Sequence, residues 1–251
     1  MAASVHLRFY AELNDHIPPA QQYKTIERSI VVPGSVKDLI ESCGVPHTEV
    51  ELIVVNGVSV DFSYIFHDGD RIAVYPVFES VDITPALRVR PAPLRDPQFV
   101  LDVHLGKLAA YMRMLGFDTV YRNCFDDAEL ARVSATQRRT LLTRDRGLLK
   151  RSAVTHGYWL RETDSRAQLA EIVHRFDLGR SIRPFTRCMA CNGILQSVTK
   201  AEVRPQLPPR VAGAFEEFRQ CERCRRVFWQ GSHYRRMQHW IEQLTAARQD
   251  A

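Results

Sequence analysis

Two short cysteine pairs constrain this chain more than any other feature: CMAC at 188–191 and CERC at 221–224. A C-x-x-C unit can place two sulfurs on one ion in a tight knuckle, and two such units complete a closed tetrahedral four-sulfur site. The residues around them show little periodic structure, so the module over 181–251 needs a bound ion in place of a large apolar core. Free thiols or a redox pair are the alternatives, and paired C-x-x-C units in a reducing compartment favour the metal. Cys188, Cys191, Cys221 and Cys224 are therefore predicted to hold a structural zinc with no open coordination position. Cys43 and Cys124 have no partners and read as half-buried small apolar residues. VAGAFEEFRQ is expected as a short helix between the pairs, and HYRRMQHWIEQLTAA as a terminal helix.

The rest of the chain divides into two further modules and a linker. Residues 1–80 read as an α+β unit. SVHLRFYAEL alternates Val5, Leu7 and Phe9 on one face, and IERSIVV is a second short strand. PGSVKDLIESCG is a helix capped by Ser35 and ended by Gly44. Asn56-Gly57 lies between apolar runs, a strong hairpin signal, and HDGDRIAVYPV supplies another turn and a last strand. Strand, strand, helix, strands is the order of a β-grasp unit, similar to ubiquitin-like and sulfur-carrier domains. Sulfur carriers need a free terminal Gly-Gly, and here the last strand runs on through Val77 and Phe78, so a docking or regulatory module is the better reading. Pro85, Pro91, Pro93 and Pro97 make 81–97 a stiff extended linker. Residues 98–180 alternate strand and helix, the pattern of a parallel sheet with helices on its faces. In HLGKLAAYMRMLG, Leu105, Leu108, Ala109, Met112 and Leu115 form one apolar stripe, and Gly116 sits where a left-handed cap belongs.

Charge is unevenly spread. Residues 1–80 carry 5 Lys/Arg against 11 Asp/Glu, 81–180 carry 17 against 12, and 181–251 carry 12 against 6. The two later thirds suit an anionic partner such as nucleic acid. No apolar run is long enough for a transmembrane helix, and the first residues lack the pattern of a signal peptide, so a cytoplasmic protein without a membrane partner is expected.

Three carboxylates stand at informative places. Asp102 ends the first strand of the α/β module, Asp145 ends a later one, and Asp127 opens the helix before that strand. Ligands gather at the carboxyl ends of parallel strands, and clustered carboxylates suit Mg²⁺ or Mn²⁺. Each acid also has an ordinary reading: Asp126 and Glu129 as a capping box with Asp127 in the first helical turn, Asp102 as a cap, Asp145 as the partner of a flanking arginine. Arginines and aromatics crowd the neighbouring segments, where they can hold phosphates and stack on bases. Lys107 and Arg113 lie on the first helix, and Arg144 and Arg146 flank Asp145. Arg225, Arg226, His233, Tyr234, Arg235 and Arg236 follow the second knuckle. These ten are the candidate nucleic-acid-binding residues.

FVLDVHLGKLAAYMRMLGFDTVY, FDDAELARVSATQRRTLLTRDRGLL, FTRCMACNGIL and FRQCERCRRVFWQGSHYRRM, in that order, resemble the mut-seven C-terminal RNase domain family. The segment ahead of them is similar to the ubiquitin-like domain sometimes fused to it, so the resemblance spans roughly residues 4–240. It implies a three-layer PIN-like α/β domain with a parallel sheet, followed by a zinc ribbon, that acts on RNA with acidic residues and a divalent metal. Asp102, Asp127 and Asp145 match the family's catalytic acids and would bind catalytic Mg or Mn. PIN domains usually offer a fourth acid soon after the third, but residues 146–150 contain none. The next acids are Glu162 and Asp164. The resemblance thus implies a metal-dependent ribonuclease; the alternative is a non-catalytic RNA- or ribosome-binding protein that keeps the fold. Ribosome and tRNA are candidate forms of the RNA partner, with a protein partner for the β-grasp module.

Overall fold

The computed structural model of the chain describes residues 3–30, 32–77, 88–89 and 98–246. The proline-rich linker expected over 81–97 lies outside them apart from residues 88 and 89. The N-terminal module comprises β1 (Ala3–Phe9), β2 (Ile26–Ile30), α1 (Val36–Ser42), β3 (Val50–Val55), β4 (Val58–Val60) and β5 (Arg71–Pro76). Its strand order is β2-β1-β5-β3-β4, with β1 and β5 parallel and the other pairs antiparallel. This is the β-grasp arrangement. The alternation of β1 buries Val5, Leu7 and Phe9 in one cluster with Val36 and Ile40 of α1. Ser35 caps α1 by accepting the Asp38 N–H at 3.1 Å. The β3–β4 hairpin turns on Asn56 (φ 50°) and Gly57 (φ 87°), the pair of left-handed residues that its tight turn demands.

The second stretch runs β6 (Phe99–Leu101), α2 (Gly106–Met114), β7 (Thr119–Val120), α3 (Asp127–Gln137), β8 (Thr140–Thr143), α4 (Arg146–Leu149), β9 (Gly157–Trp159) and α5 (Ser165–Arg175). β6 pairs with β7 and β8 with β9, both in parallel, so this is an α/β domain with a parallel sheet. β6 and β8 are fully buried runs, as strands covered on both faces must be. The predicted stripe on α2 is interior: Leu108, Ala109, Met112 and Leu115 are all at 0% exposure.

The third stretch holds β10 (Leu195–Val198), α6 (Lys200–Val203), α7 (Pro209–Ala214), β11 (Phe218–Cys221), β12 (Val227–Trp229) and α8 (Ser232–Ala246). The three strands form one antiparallel sheet in the order β10-β11-β12. VAGAFEEFRQ is not one helix. Its front half belongs to α7, started by Pro209, whose missing N–H costs nothing in a first helical turn. Its back half enters β11, where Phe218 and Gln220 are buried and Arg219 between them is exposed, an alternation of period two.

Chain contacts define two compact units, each assembled from two segments: 1–97 with 126–159, and 98–125 with 160–251. In the first unit the β-grasp module is joined to the β9 region by buried polar groups. Glu49, 3% exposed, accepts the Trp159 N–H at 2.6 Å with one oxygen and meets His16 Nε2 at 3.0 Å with the other. His47 Nε2 lies 2.8 Å from the Val154 carbonyl, and Lys150 donates to the Glu41 carbonyl at 2.7 Å. In the second unit, Trp240 of α8 packs edge-on against Tyr111 of α2 at 4.8 Å and lies under the Arg166 guanidinium of α5, also at 4.8 Å. Among the described residues no helix is long and apolar enough to cross a membrane.

Candidate metal centre and the acidic residues

Each cysteine pair sits in the same backbone loop. The N–H of Asn192 bonds the Cys188 carbonyl at 2.9 Å, and the N–H of Arg225 bonds the Cys221 carbonyl at 3.0 Å. Asn192 and Arg225, each directly after the second cysteine of its pair, are both left-handed, at φ 69° and 61°. This repeated turn aims both sulfurs of a pair inward. All four sulfurs lie within 4.8 Å of one another, with Cys188–Cys224 at 3.7 Å and Cys191–Cys221 at 3.3 Å. Tetrahedral zinc with Zn–S near 2.3 Å needs sulfur separations of about 3.8 Å. The group therefore fits zinc, and among the described residues the cluster matches the sequence expectation residue for residue. Burial pushes the Cys188 thiol up to about 12, so a thiolate there needs a cation beside it. Gly193 is required by space: a Cβ would lie 2.8 Å from Cys221 Sγ and 2.9 Å from Arg223 Cβ.

The first knuckle is bolted to the α2–β7 corner. Asn192 donates to Asp118 at 2.8 Å and accepts the Thr119 N–H at 3.0 Å, and Arg187 pairs with Asp118 at 3.3 Å. Arg113 is the central fastener. It donates from Nε to the Thr119 carbonyl at 2.9 Å and from Nη1 to the Met189 and Ala190 carbonyls at 3.2 and 3.1 Å. The sequence reading put Arg113 on an RNA-facing surface, but it is 4% exposed with its guanidinium consumed by backbone carbonyls. It follows Met112 of the buried stripe, and the first knuckle closes over it. Burial lowers its pKa from the ordinary arginine value, with the nearby Cys191, Cys188 and Asp118 opposing that shift.

The acids occupy helix starts. Asp126 caps α3 by accepting the Glu129 N–H at 2.8 Å, as predicted, and Asp127 is the first residue of that helix, exposed, with Arg151 at 3.7 Å. Asp145 follows β8 and caps α4, its Oδ1 accepting the Gly147 N–H at 2.7 Å while its own N–H bonds Thr143 Oγ1. Asp102 directly follows β6, half-buried at the start of the turn that leads into α2, and makes no side-chain cap bond there. Asp164 caps α5, and the Arg166 and Ala167 N–H groups hold its carboxyl below the usual range.

Among the cationic candidates, Lys107, Arg144, Arg146, Arg225, Arg226, His233, Arg235 and Arg236 are exposed. Arg146 lies over the Trp159 ring at 4.5 Å, and the indole N–H donates to the Arg144 carbonyl at 3.2 Å. Trp159 was not singled out from the sequence. Only the parallel pairing of β8 with β9, with Thr143 opposite Trp159, sets it beside that loop. Tyr234 is half-buried against Phe185, ring centroids 4.3 Å apart.

A ubiquitin-like module, an α/β module with parallel strands and a cluster of four cysteines that could hold a metal ion together define the class of protein. The chain belongs to the Mut7-C RNAse domain family, which matches residues 97–241, and the Mut7-C ubiquitin family matches residues 2–82. No curated protein and no solved structure matches it. Membership suggests ribonuclease-type function with RNA as the substrate.

Proposed function

We propose that the chain is a metal-dependent ribonuclease of PIN-like architecture that hydrolyses RNA phosphodiester bonds. Membership in the RNase domain family carries the reading. The local placement of the acids supports it. Asp102 and Asp145 each follow a buried parallel strand, where such sheets gather ligands, and Asp127 opens a helix. Hard carboxylate oxygens suit Mg²⁺ or Mn²⁺, which Asp102, Asp127 and Asp145 would hold. Such an ion supplies Lewis acidity toward the phosphoryl group and makes water a better nucleophile at neutral pH. The protein's own part is to orient the substrate. Arg146, steadied on Trp159, offers a planar donor to phosphate oxygens, and the exposed Lys107, Arg144, Arg225, Arg226, Arg235 and Arg236 supply further positive charge.

A second reading, RNA binding without cleavage, is favoured by one observation: the Asp145 carboxylate already serves as a cap, and no acid follows in residues 146–150. Incubation of labelled single-stranded and structured RNAs with Mn²⁺, Mg²⁺ or no divalent ion, beside Asp102→Asn and Asp145→Asn, separates the two. Cleavage that depends on the ion and is lost in both variants is the expected result. Cleavage that survives either removal refutes the mechanism, and binding without cleavage under every ion establishes the second reading.

A further inference from the structure

The ribbon sheet has two different faces. The row Val198–Phe218–Trp229 runs across its three strands on one side and packs into an apolar cluster with Val203 and Leu207. The neighbouring row, Ser197–Arg219–Phe228, must point to the other side. A cavity of about 580 Å³ is lined by residues of both rows, Ser197, Arg219 and Phe228 among them, together with Phe185 and Tyr234. That volume is in the range of ligand sites, roughly 300–1,000 Å³.

The geometry points to this cavity as a binding site for an unpaired nucleobase of single-stranded RNA, a proposal that rests on the chain acting on RNA. Phe228 is half-buried and lines the cavity, where its ring can serve as a stacking surface. Tyr234 supplies a second ring, fixed by Phe185 at 4.3 Å. Arg219, held by a 2.7 Å bond from Nη1 to the Phe185 carbonyl, sets a planar cation beside them. Bases stack on such rings whatever their sequence.

Charge decides which end of a nucleotide enters. Glu216 and Glu217 line the cavity, paired with Lys200 at 2.6 Å and Gln230 at 3.2 Å. Carboxylates repel phosphate but accept from the amino and imino edges of bases. The exposed arginines Arg225, Arg226, Arg235 and Arg236 lie on the turn before β12 and at the start of α8, next in sequence to the lining residues, where they serve the sugar-phosphate chain. A base inside and its phosphates outside satisfy both charge patterns.

The test is a titration of the zinc-loaded full chain against a short fluorescein-labelled single-stranded oligoribonucleotide, read by anisotropy without added Mg²⁺ or Mn²⁺. Phe228→Ala and Phe228→Leu are expected to weaken binding about tenfold, the scale of one lost stacking ring. Phe228→Tyr keeps the ring and the affinity. Zinc content and circular dichroism confirm that each variant is folded. An oligomer of abasic nucleotides binds the unaltered protein as weakly as the unmodified oligomer binds Phe228→Leu, and duplex RNA does not distinguish that variant from the parent. Undiminished single-strand binding by Phe228→Leu overturns the inference, because the cavity would then serve apolar side chains. Equal losses on duplex and single strand, tight abasic binding, or no single-strand binding at all overturn it too. Binding is read apart from cleavage, so a stacking site in a protein that never cleaves, and cleavage by a protein indifferent to Phe228, are separate outcomes.

Discussion

Replacing Arg113 by methionine tests whether the metal centre depends on the α/β domain it adjoins. The variant keeps the aliphatic volume, removes the guanidinium and touches no cysteine. It deletes the bonds to the Thr119, Met189 and Ala190 carbonyls, at 2.9, 3.2 and 3.1 Å. Hydrogen bonds from a charged donor contribute about 1.5–3 kcal/mol each, a gross loss of about 4–9 kcal/mol. The buried guanidinium's own desolvation cost, several kcal/mol, disappears with it. The net expectation is a destabilisation of about 2–4 kcal/mol, within the usual tail for a broken buried network. Urea unfolding of the zinc-loaded chain, followed by circular dichroism, measures it as a lowered midpoint at unchanged slope. Zinc transfer to a chromogenic chelator should accelerate as well, because Met189 and Ala190 lie between the two cysteines of the first knuckle. Arg113→Lys should fall between, since an ammonium cannot span the carbonyls that the planar fork reaches. Stability within about 0.5 kcal/mol of the parent, with unchanged zinc transfer, would refute the fastener role.

Three further outcomes follow from the same reasoning. Cys221→Ser removes a fully buried ligand, and because metal binding supplies the folding energy of such modules, bound zinc by atomic absorption should fall to background and the ribbon should lose its protease resistance. Gly116→Ala places a Cβ against the Arg183 carbonyl and Thr186 Oγ1 at φ 96°; a loss of about 2–3 kcal/mol in chemical denaturation is expected, and none if the turn relaxes freely. Glu49→Leu strips the Trp159 N–H and His16 of their shared acceptor, and should cost about 2–4 kcal/mol by thermal or urea unfolding, whereas Glu49→Gln, which keeps one acceptor oxygen, should cost less.

Features set by local rules were legible in the sequence. Asn56-Gly57, the Ser35 and Asp126 caps, the α2 stripe and the paired cysteines each depend on residues a few positions apart, and each stands where its chemistry puts it. What was not legible depends on residues far apart. Arg113 reads as a surface cation until Met189 and Ala190 are brought over it, and Trp159 gains its place under Arg146 only through strand pairing. The ribbon was expected from the resemblance, but its individual strands were not placed, because they are only three or four residues long, too short for alternation to stand out. The acids are the intermediate case. Their positions after strands and at a helix start were readable, but the cap that Asp145 provides to Gly147 was not, since it depends on where a four-residue helix begins.

The β-grasp module meets its own unit's other half late in the life of the chain. The bonds His47–Val154, Lys150–Glu41 and Glu49–Trp159 close sequence separations of 107, 109 and 110 residues. At the usual pace of synthesis, about 5–20 residues per second, the buried face of the module waits about 5–20 s for its partner to emerge. Within the module Glu49 has His16 and His47 has Glu41 as a partner, and polar groups of this kind would tolerate water during that interval. A junction built on such groups would expose less apolar surface while it waits than one built on aliphatic side chains.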